Sequence, residues 1–272
     1  MNETRKIFQV KKMKLAMFVM GAVMIANVSA MCASAAAEDI TITVENLGPA
    51  GGLFFSPVWV GLHDGSFDLF DLGSPASSEV EALAEAGDSS GIRALFAGLG
   101  VDDVIAPGSP FGPAGSAFAS TAQTTLTVNP GSDRYLSFAS MVVPSNDAFY
   151  SNPDPMMYEV FDAAGNFNGP LTITIYGRDI WDAGTEVNNK YGGAAFVALG
   201  GVDVDENGVV HQHPGLDEFI GEHFGPAPVA GETLQSAFTD STPIAQITVV
   251  PEPTSLLILG AGTLMLRYRK RT

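Results

Sequence analysis

Cysteine is almost missing from this sequence of 272 residues. The one cysteine, Cys32, lies in the N-terminal stretch ahead of the acidic part of the chain. Beyond residue 37, therefore, neither disulfide bonds nor thiol chemistry can contribute to folding or function.

Basic residues are also few, with 13 Lys and Arg against 30 Asp and Glu. Between residues 38 and 250 four basic residues face 28 acidic ones, a formal charge of −24. A surface this acidic repels nucleic-acid phosphates and anionic lipid head groups, which excludes nucleic acid as a partner. It attracts divalent cations, although acidity that serves only solubility explains most of these residues equally well.

Long apolar runs are confined to the two ends of the chain. Five basic residues precede the apolar run 15–28, and a small-residue stretch follows at 33–37. This order predicts a secretory signal peptide over residues 1–37. The alternative is a retained membrane anchor, for which the apolar run is short.

The C-terminal end carries Pro251, Glu252 and Pro253, the short apolar segment 254–266, and four basic residues within 267–271. In this order of elements, residues 251–272 resemble the PEP-CTERM sorting signal of Gram-negative bacteria. The resemblance implies transient membrane anchoring and recognition by an exosortase-type processing enzyme. Release to the cell surface or the exopolysaccharide matrix would follow. A plain tail anchor is the alternative.

Between these ends, the pattern predicts one domain over residues 38–250. Capping-box spacing and apolar residues at helical intervals predict two short helices within 77–99. Runs rich in β-branched and aromatic residues, separated by Gly, Pro and Asn turns, predict strands. These runs lie at 39–47, 53–63, 124–128, 135–143, 157–161, 171–176, 194–199 and 244–250. We therefore expect a mainly β protein, an antiparallel β-sandwich with a short helical insertion.

Two acidic loops stand at the centre of the domain, within residues 141–186. Asp147 follows a Pro-Ser-Asn turn signal, and Asp182 and Glu186 follow an apolar run that ends in Ile-Trp. Gly184 allows a tight turn between the latter two carboxylates. Loops that gather carboxylates at sheet ends are a common way to hold calcium. The alternative is a pair of solvated loops in which the aspartates only cap turns.

Two motifs in this stretch, Pro-Ser-Asn-Asp at 144–147 and Trp-Asp-Ala-Gly-Thr at 181–185, resemble the spondin N-terminal domain. The resemblance extends over residues 40–250 and implies a C2-like β-sandwich. It further implies a calcium ion held by Asp147, Asp182 and Glu186. The third of these departs from the family's pattern, which has aspartate at that position.

A second acidic motif, Asp203-Val-Asp205-Glu-Asn207-Gly208, matches the first half of an EF-hand calcium loop. The twelfth position from Asp203 is Pro214, however, where an EF-hand has a bidentate glutamate. Asn-Gly is also a strong hairpin signal, so we interpret the motif as a turn, with a weak second calcium site as the alternative.

Histidines cluster nearby. His211 and His213 are spaced to share one face of a strand, and His223 follows. With Asp217 or Glu218 they would form a zinc site, and zinc beside a carboxylate base is hydrolase chemistry. A secreted zinc-dependent hydrolase acting on matrix polymer is therefore the alternative function, although no HExxH motif is present.

The leading expectation is an exported, non-catalytic, calcium-binding adhesion or matrix module. It would be secreted to the cell surface or extracellular matrix of a Gram-negative bacterium. An exopolysaccharide or surface glycan would be its partner, and Trp59, Tyr150 and Tyr158 are candidate aromatic platforms for it.

Overall fold

The computed structural model describes residues 36–106, 108–188, 204–222, 231–236 and 238–252. The chain divides into two compact units at Ala36/Ala37, and the description below concerns the second unit. The predicted leader and almost all of the predicted tail signal, including Pro253, lie outside the described residues. Within the described ranges, no helix has the length and apolar character needed to cross a membrane.

Eleven strands and two α-helices occur in the described ranges. In chain order they are β1 (Glu38–Asn46), β2 (Phe54–Phe55), β3 (Val58–His63), α1 (Ser78–Ala86), α2 (Ser90–Phe96), β4 (Gly100–Ile105), β5 (Thr121–Val128), β6 (Tyr135–Val143), β7 (Ala148–Ser151), β8 (Leu171–Tyr176), β9 (Ile180–Asp182), β10 (His211–Gln212) and β11 (Pro243–Pro251). Single 3-10 turns lie at Gly177–Asp179 and Asp217–Phe219.

The strands form two antiparallel sheets. The first has the order β5-β1-β11-β8, and the second has the order β10-β9-β7-β6-β3-β4 with β2 paired to β6. Strand β1 shows why the sheets stack, because Ile40, Ile42 and Val44 alternate with polar residues and are fully buried. Alternation places these side chains on one face of the sheet, where they pack against the second sheet in the main core.

The second sheet is covered on both faces. All six residues of β3 are buried, as expected for a strand without a solvent face. Its outer face packs against the helices through a separate cluster that includes Trp59, Leu83 and Phe96. Full burial of each such side chain contributes about 1.5–3 kcal/mol, so the helical insertion is an integral third layer.

Helix α1 begins and ends at local signals. The N-cap is Ser77, whose Oγ accepts a hydrogen bond from Val80 N at 3.3 Å, and Gly87 ends the helix in the left-handed conformation. The helix turns Val80, Leu83 and Ala84 inward at the predicted interval.

The mainly β, antiparallel sandwich with a short helical insertion is thus confirmed. The predicted strand at 157–161 is wrong, because that segment forms only isolated bridges, Tyr135 with Glu159 and Phe161 with Phe167. Strand β4 was not predicted. The predicted strand at 194–199 lies outside the described residues.

Candidate functional site

Asp147 and Asp182 meet at one end of the second sheet. Asp147 lies in the turn between β6 and β7, and Asp182 is the last residue of β9. The antiparallel register pairs Ala148 with Asp182, and Ala183 N donates to the carbonyl oxygen of Asp147 at 3.1 Å. Both carboxylates have no solvent exposure, and Glu186 is 5% exposed. Folding therefore buries all three predicted ligands, which is costly for charged groups.

The carboxylate of Asp147 fixes the loop that follows β9. Its Oδ2 accepts hydrogen bonds from Thr185 N at 2.8 Å, Glu186 N at 3.1 Å and Thr185 Oγ1 at 3.2 Å. These three donors satisfy one oxygen and leave the other, Oδ1, buried without a hydrogen-bond partner among the described residues. Asp147 thus already does more than cap its own turn.

Asp182 organises the same loop from the opposite side. Its Oδ1 accepts from Gly184 N at 2.8 Å, and its Oδ2 accepts from the Asn188 side-chain amide and lies 3.8 Å from His211 Nε2. Gly184 is required here, because its φ is +67° and an added Cβ would lie 2.7 Å from both Val209 N and Val209 O.

The charge of Asp182 disfavours the ionised form of Asp147. Burial, and secondarily the nearby charge of Asp182, raise the pKa of Asp147, while the hydrogen bonds from Glu186 and Thr185 act in the opposite direction. Among the described residues, neither aspartate forms an ion pair with Lys or Arg. A cation between them would relieve both the repulsion and the loss of hydration.

Two amide side chains, those of Asn146 and Asn188, belong to the same loops. Asn146 Nδ2 donates to Val187 O at 3.2 Å, and the Asn188 amide donates to Asp182. Their carbonyl oxygens, Asn146 Oδ1 and Asn188 Oδ1, are buried without a hydrogen-bond partner in the described part of the chain. Native proteins leave few buried acceptors unsatisfied. Carboxylate and amide oxygens are the atoms that calcium binds.

No group of three or more His, Cys, Asp or Glu side chains in the described ranges is placed so that it could hold a metal ion. A cation at this site would therefore take Asp147, Asp182 and the neighbouring amide or backbone carbonyl oxygens as ligands. Glu186 as a third carboxylate ligand stays a prediction. Such mixed oxygen sets are ordinary for calcium, which takes six to eight ligands.

The two histidines expected to share a strand face lie in different environments. His211 is exposed, and its Nδ1 contacts Val209 O at 2.9 Å. His213 is buried, its Nδ1 accepts from Gly215 N at 3.1 Å, and burial lowers its pKa to about 4. Asp217 is exposed, and His223 and the Glu218 side chain lie outside the described residues. The expected shared face is therefore wrong.

The predicted turn at Asn207-Gly208 is also wrong. Asn207 does adopt a positive φ of 46°, but Gly208 N donates to Gly184 O at 2.7 Å and Glu206 N donates to Thr185 O at 2.8 Å. Residues 204–212 therefore run antiparallel to 181–187. Asp203 lies outside the described residues.

Two of the three candidate aromatic platforms are wrong, because Trp59 and Tyr150 have no solvent exposure. Tyr158 is half-buried, with its ring 5.7 Å from that of Phe138. Trp181 and Phe149 lie near the acidic loops and pack around Phe70, at 6.0 and 5.2 Å between ring centroids.

The chain matches no protein-family model and none of the curated proteins.

The residues that sequence reasoning missed at the site are Asn146 and Asn188. His213 was named as a zinc candidate, but its place near Asp147 was not predicted. Asn146 stands within the Pro-Ser-Asn-Asp motif, so a signal for it existed. Asn188 bonds Asp182, six residues earlier in the same loop. His213 reaches the site through the pairing of 204–212 with 181–187, which no local sequence pattern predicts.

Proposed function

We propose that this protein is an exported, non-catalytic calcium-binding module that serves in adhesion or as a component of the extracellular matrix. The observation that carries the proposal is the set of buried acceptor oxygens at one end of the second sheet, Asn146 Oδ1, Asp147 Oδ1 and Asn188 Oδ1. Each lacks a hydrogen-bond donor in the described part of the chain, and each is an atom type that calcium coordinates.

Calcium fits the electrostatics of these loops. Two fully buried aspartates have no Lys or Arg partner in the described ranges. Within the same ranges they accept hydrogen bonds from backbone N–H groups, from the Thr185 hydroxyl and from the Asn188 amide. Calcium bound between them would lower the pKa of Asp147 from its raised value and stabilise the ionised form. It would also link the β6–β7 turn to the loop after β9, and so stabilise both.

The burial of the site favours a structural role for the ion. A catalytic metal keeps an open position for substrate, whereas Asp147 and Asp182 have no exposed surface. We therefore assign the ion the task of shaping the loops, and assign the protein no reaction.

The predicted export signals support a location at the cell surface or in the extracellular matrix. A leader over residues 1–37 and a sorting signal over 251–272 would deliver the domain through an exosortase-type enzyme after transient membrane anchoring. The acidic surface disfavours nucleic acid and suits a soluble component beside an exopolysaccharide or surface glycan. The spondin-like motifs at 144–147 and 181–185 support a matrix role.

Thermal unfolding of the protein in calcium and in chelator tests this proposal. A ligand that binds the native state at one hundred times its Kd stabilises it by about 2.7 kcal/mol. For a domain of this size we expect Tm to rise by roughly 5–10 °C. Asp182→Asn should remove most of the rise, whereas Asp71→Asn, on an exposed loop, should keep it.

Equal unfolding curves in calcium and chelator would contradict the calcium site. Metal analysis distinguishes the calcium-binding module from the alternative function, a zinc-dependent hydrolase. Stoichiometric zinc that is lost in His211→Ala would instead favour the zinc-dependent hydrolase.

A further inference from the structure

The dipeptide Asn-Gly occurs twice in the chain, as Asn168-Gly169 and as Asn207-Gly208, and both asparagines are exposed. Asparagine is among the chemically labile residues of proteins. Before glycine its side chain is most open to attack, because the next residue has no Cβ to shield the backbone nitrogen. The two dipeptides are therefore equivalent in sequence as sites of deamidation, and only their surroundings in the fold differ.

Deamidation of an Asn-Gly dipeptide begins when the backbone nitrogen of the glycine attacks Cγ of the asparagine side chain. A bond forms between these two atoms, the bond from Cγ to Nδ2 breaks, and Nδ2 leaves as ammonia with the proton of the glycine nitrogen. Water then opens the succinimide ring at either carbonyl and leaves aspartate or isoaspartate. Since the glycine N–H is consumed when the ring forms, it cannot remain a hydrogen-bond donor during the reaction.

At Asn207 this N–H is held by the loop that follows β9. Gly208 N donates to Gly184 O at 2.7 Å, and next to it Glu206 N donates to Thr185 O at 2.8 Å. The backbones approach closely, because a Cβ added to Gly208 would lie 3.0 Å from Gly184 O. Ring formation at Asn207 therefore requires this segment to separate from the loop first.

At Asn168 the corresponding nitrogen has no such constraint. Gly169 N forms no hydrogen bond with any described residue, and a Cβ added to Gly169 would meet no atom within 4 Å. The side chain of Asn168 is held instead, since its Nδ2 donates to Glu159 O at 3.1 Å and to Glu159 Oε2 at 3.4 Å. These bonds engage the nitrogen that leaves and not the nitrogen that attacks.

We propose that Asn168 is a site of spontaneous deamidation in the folded protein, and that the hydrogen bond from Gly208 to Gly184 protects Asn207 from the same reaction. The inference does not depend on the proposed calcium function, because it uses only the two glycine nitrogens and their surroundings.

The product at Asn168 would change the contacts of the segment before β8. Aspartate or isoaspartate at this position cannot donate to Glu159, whose carboxylate pairs with Arg134. The modification would place a second negative charge beside that pair, in a chain that already carries an excess of acidic residues.

The test is incubation of the full protein in mildly alkaline buffer, followed by peptide mapping with mass spectrometry and separation of the aspartate and isoaspartate products. We expect Asn168 to convert at least about tenfold faster than Asn207, because the hydrogen bond at Gly208 must open first. The same incubation in urea, with the chain unfolded, should bring the two rates within about threefold of each other. Asn168→Gln is the matched control, since the longer side chain forms the corresponding ring far more slowly.

Three outcomes would overturn the inference. The first is conversion of Asn207 in the folded protein at the same rate as Asn168 or faster. The second is an Asn168 that converts in urea alone or in neither condition, because the folded chain would then contain no reactive site there. The third is a difference that persists unchanged in urea, since the sequence and not the fold would then distinguish the two dipeptides. Circular dichroism before and after the incubation in buffer confirms that the chain stays folded.

Discussion

Two buried histidines, His63 and His213, accept the same kind of hydrogen bond at Nδ1 but differ in the surroundings of Nε2. Each accepts a backbone N–H at Nδ1 from a glycine two residues later, His63 from Gly65 at 3.0 Å and His213 from Gly215 at 3.1 Å. His63 Nε2 then bonds Ser137 Oγ at 3.0 Å, whereas His213 Nε2 is buried without a hydrogen-bond partner among the described residues. The hydrogen bond at Nδ1 is thus common to both histidines, and only the neighbours of Nε2 differ.

Around His63 the polar network is closed. Ser137 Oγ also accepts from Asn152 Nδ2 at 3.2 Å, and Asn152 Oδ1 accepts from Phe138 N at 3.1 Å. Around His213 the network is open, since Asp147 and Asn146 keep unsatisfied oxygens. A fully satisfied buried network stabilises one fold, whereas unsatisfied buried groups are costly and can gain their missing contacts from a bound ion. On the function proposed above, His63 contributes to stability alone, whereas His213 lies beside the proposed ion site.

The largest effect should come from breaking the closed network. His63→Ala removes a fully buried ring that packs between Phe67 and Phe96 and leaves Ser137 without that partner. A cavity and a lost buried hydrogen bond together predict a loss of about 3 kcal/mol in the free energy of unfolding. Urea denaturation measures it, and the loss should be the same in calcium and in chelator.

The matched control for this change is His211→Ala, at an exposed histidine, where we expect a change within about 0.5 kcal/mol in chelator. A His63→Ala loss that depended on calcium would contradict the separation of the two regions.

A smaller effect should appear on acidification in chelator. Burial lowers the pKa of His213 to about 4, below the usual value of 6.5, and burial also lowers the pKa of His63. As the pH falls below 6.5, these histidines therefore become protonated in the unfolded chain while they stay neutral in the folded chain. The free energy of unfolding thus decreases as the pH decreases. For His213 the loss between pH 7 and pH 5 should be about 2 kcal/mol.

Asp147 has the opposite effect on the pH dependence of stability. Its pKa is raised, so the folded chain binds that proton more readily than the unfolded chain, and acid favours folding through this group. His213→Gln should therefore flatten the pH profile of unfolding, and Asp147→Asn should steepen it. A profile unchanged by His213→Gln would refute the assignment.

The sequence predicted those elements whose pattern is local. Strands β1, β6, β8 and β11 carry period-two or continuous apolar runs, and α1 carries its cap and its interval. Strand β4 was missed because Asp102 and Asp103 interrupt it. Those carboxylates have partners outside the strand, Trp59 and Arg93 for Asp102 and Thr124 for Asp103.

The same distinction between local pattern and long-range contact applies to the residues of the candidate site. Asp147 and Asp182 were named from motifs, and the structure brings them together. The burial of His213 and the pairing of Asp205 with Glu186 depend on a ladder between residues 181–187 and 204–212. The hydrophobic period within a segment predicts which side chains share a face, but it does not identify the distant segment with which they pair.

The smallest expected effect is the most diagnostic one, because its sign changes with calcium. Asp147→Asn removes a buried charge that repels Asp182, and in chelator it should stabilise the fold by about 1 kcal/mol. In calcium the same change removes a ligand and most of the gain of about 2.7 kcal/mol, so the variant becomes less stable than the wild type. Urea unfolding in both conditions measures the crossing, with Asp71→Asn as the exposed control. A variant that is destabilised equally in both conditions would place Asp147 with His63, in a network that serves the fold alone.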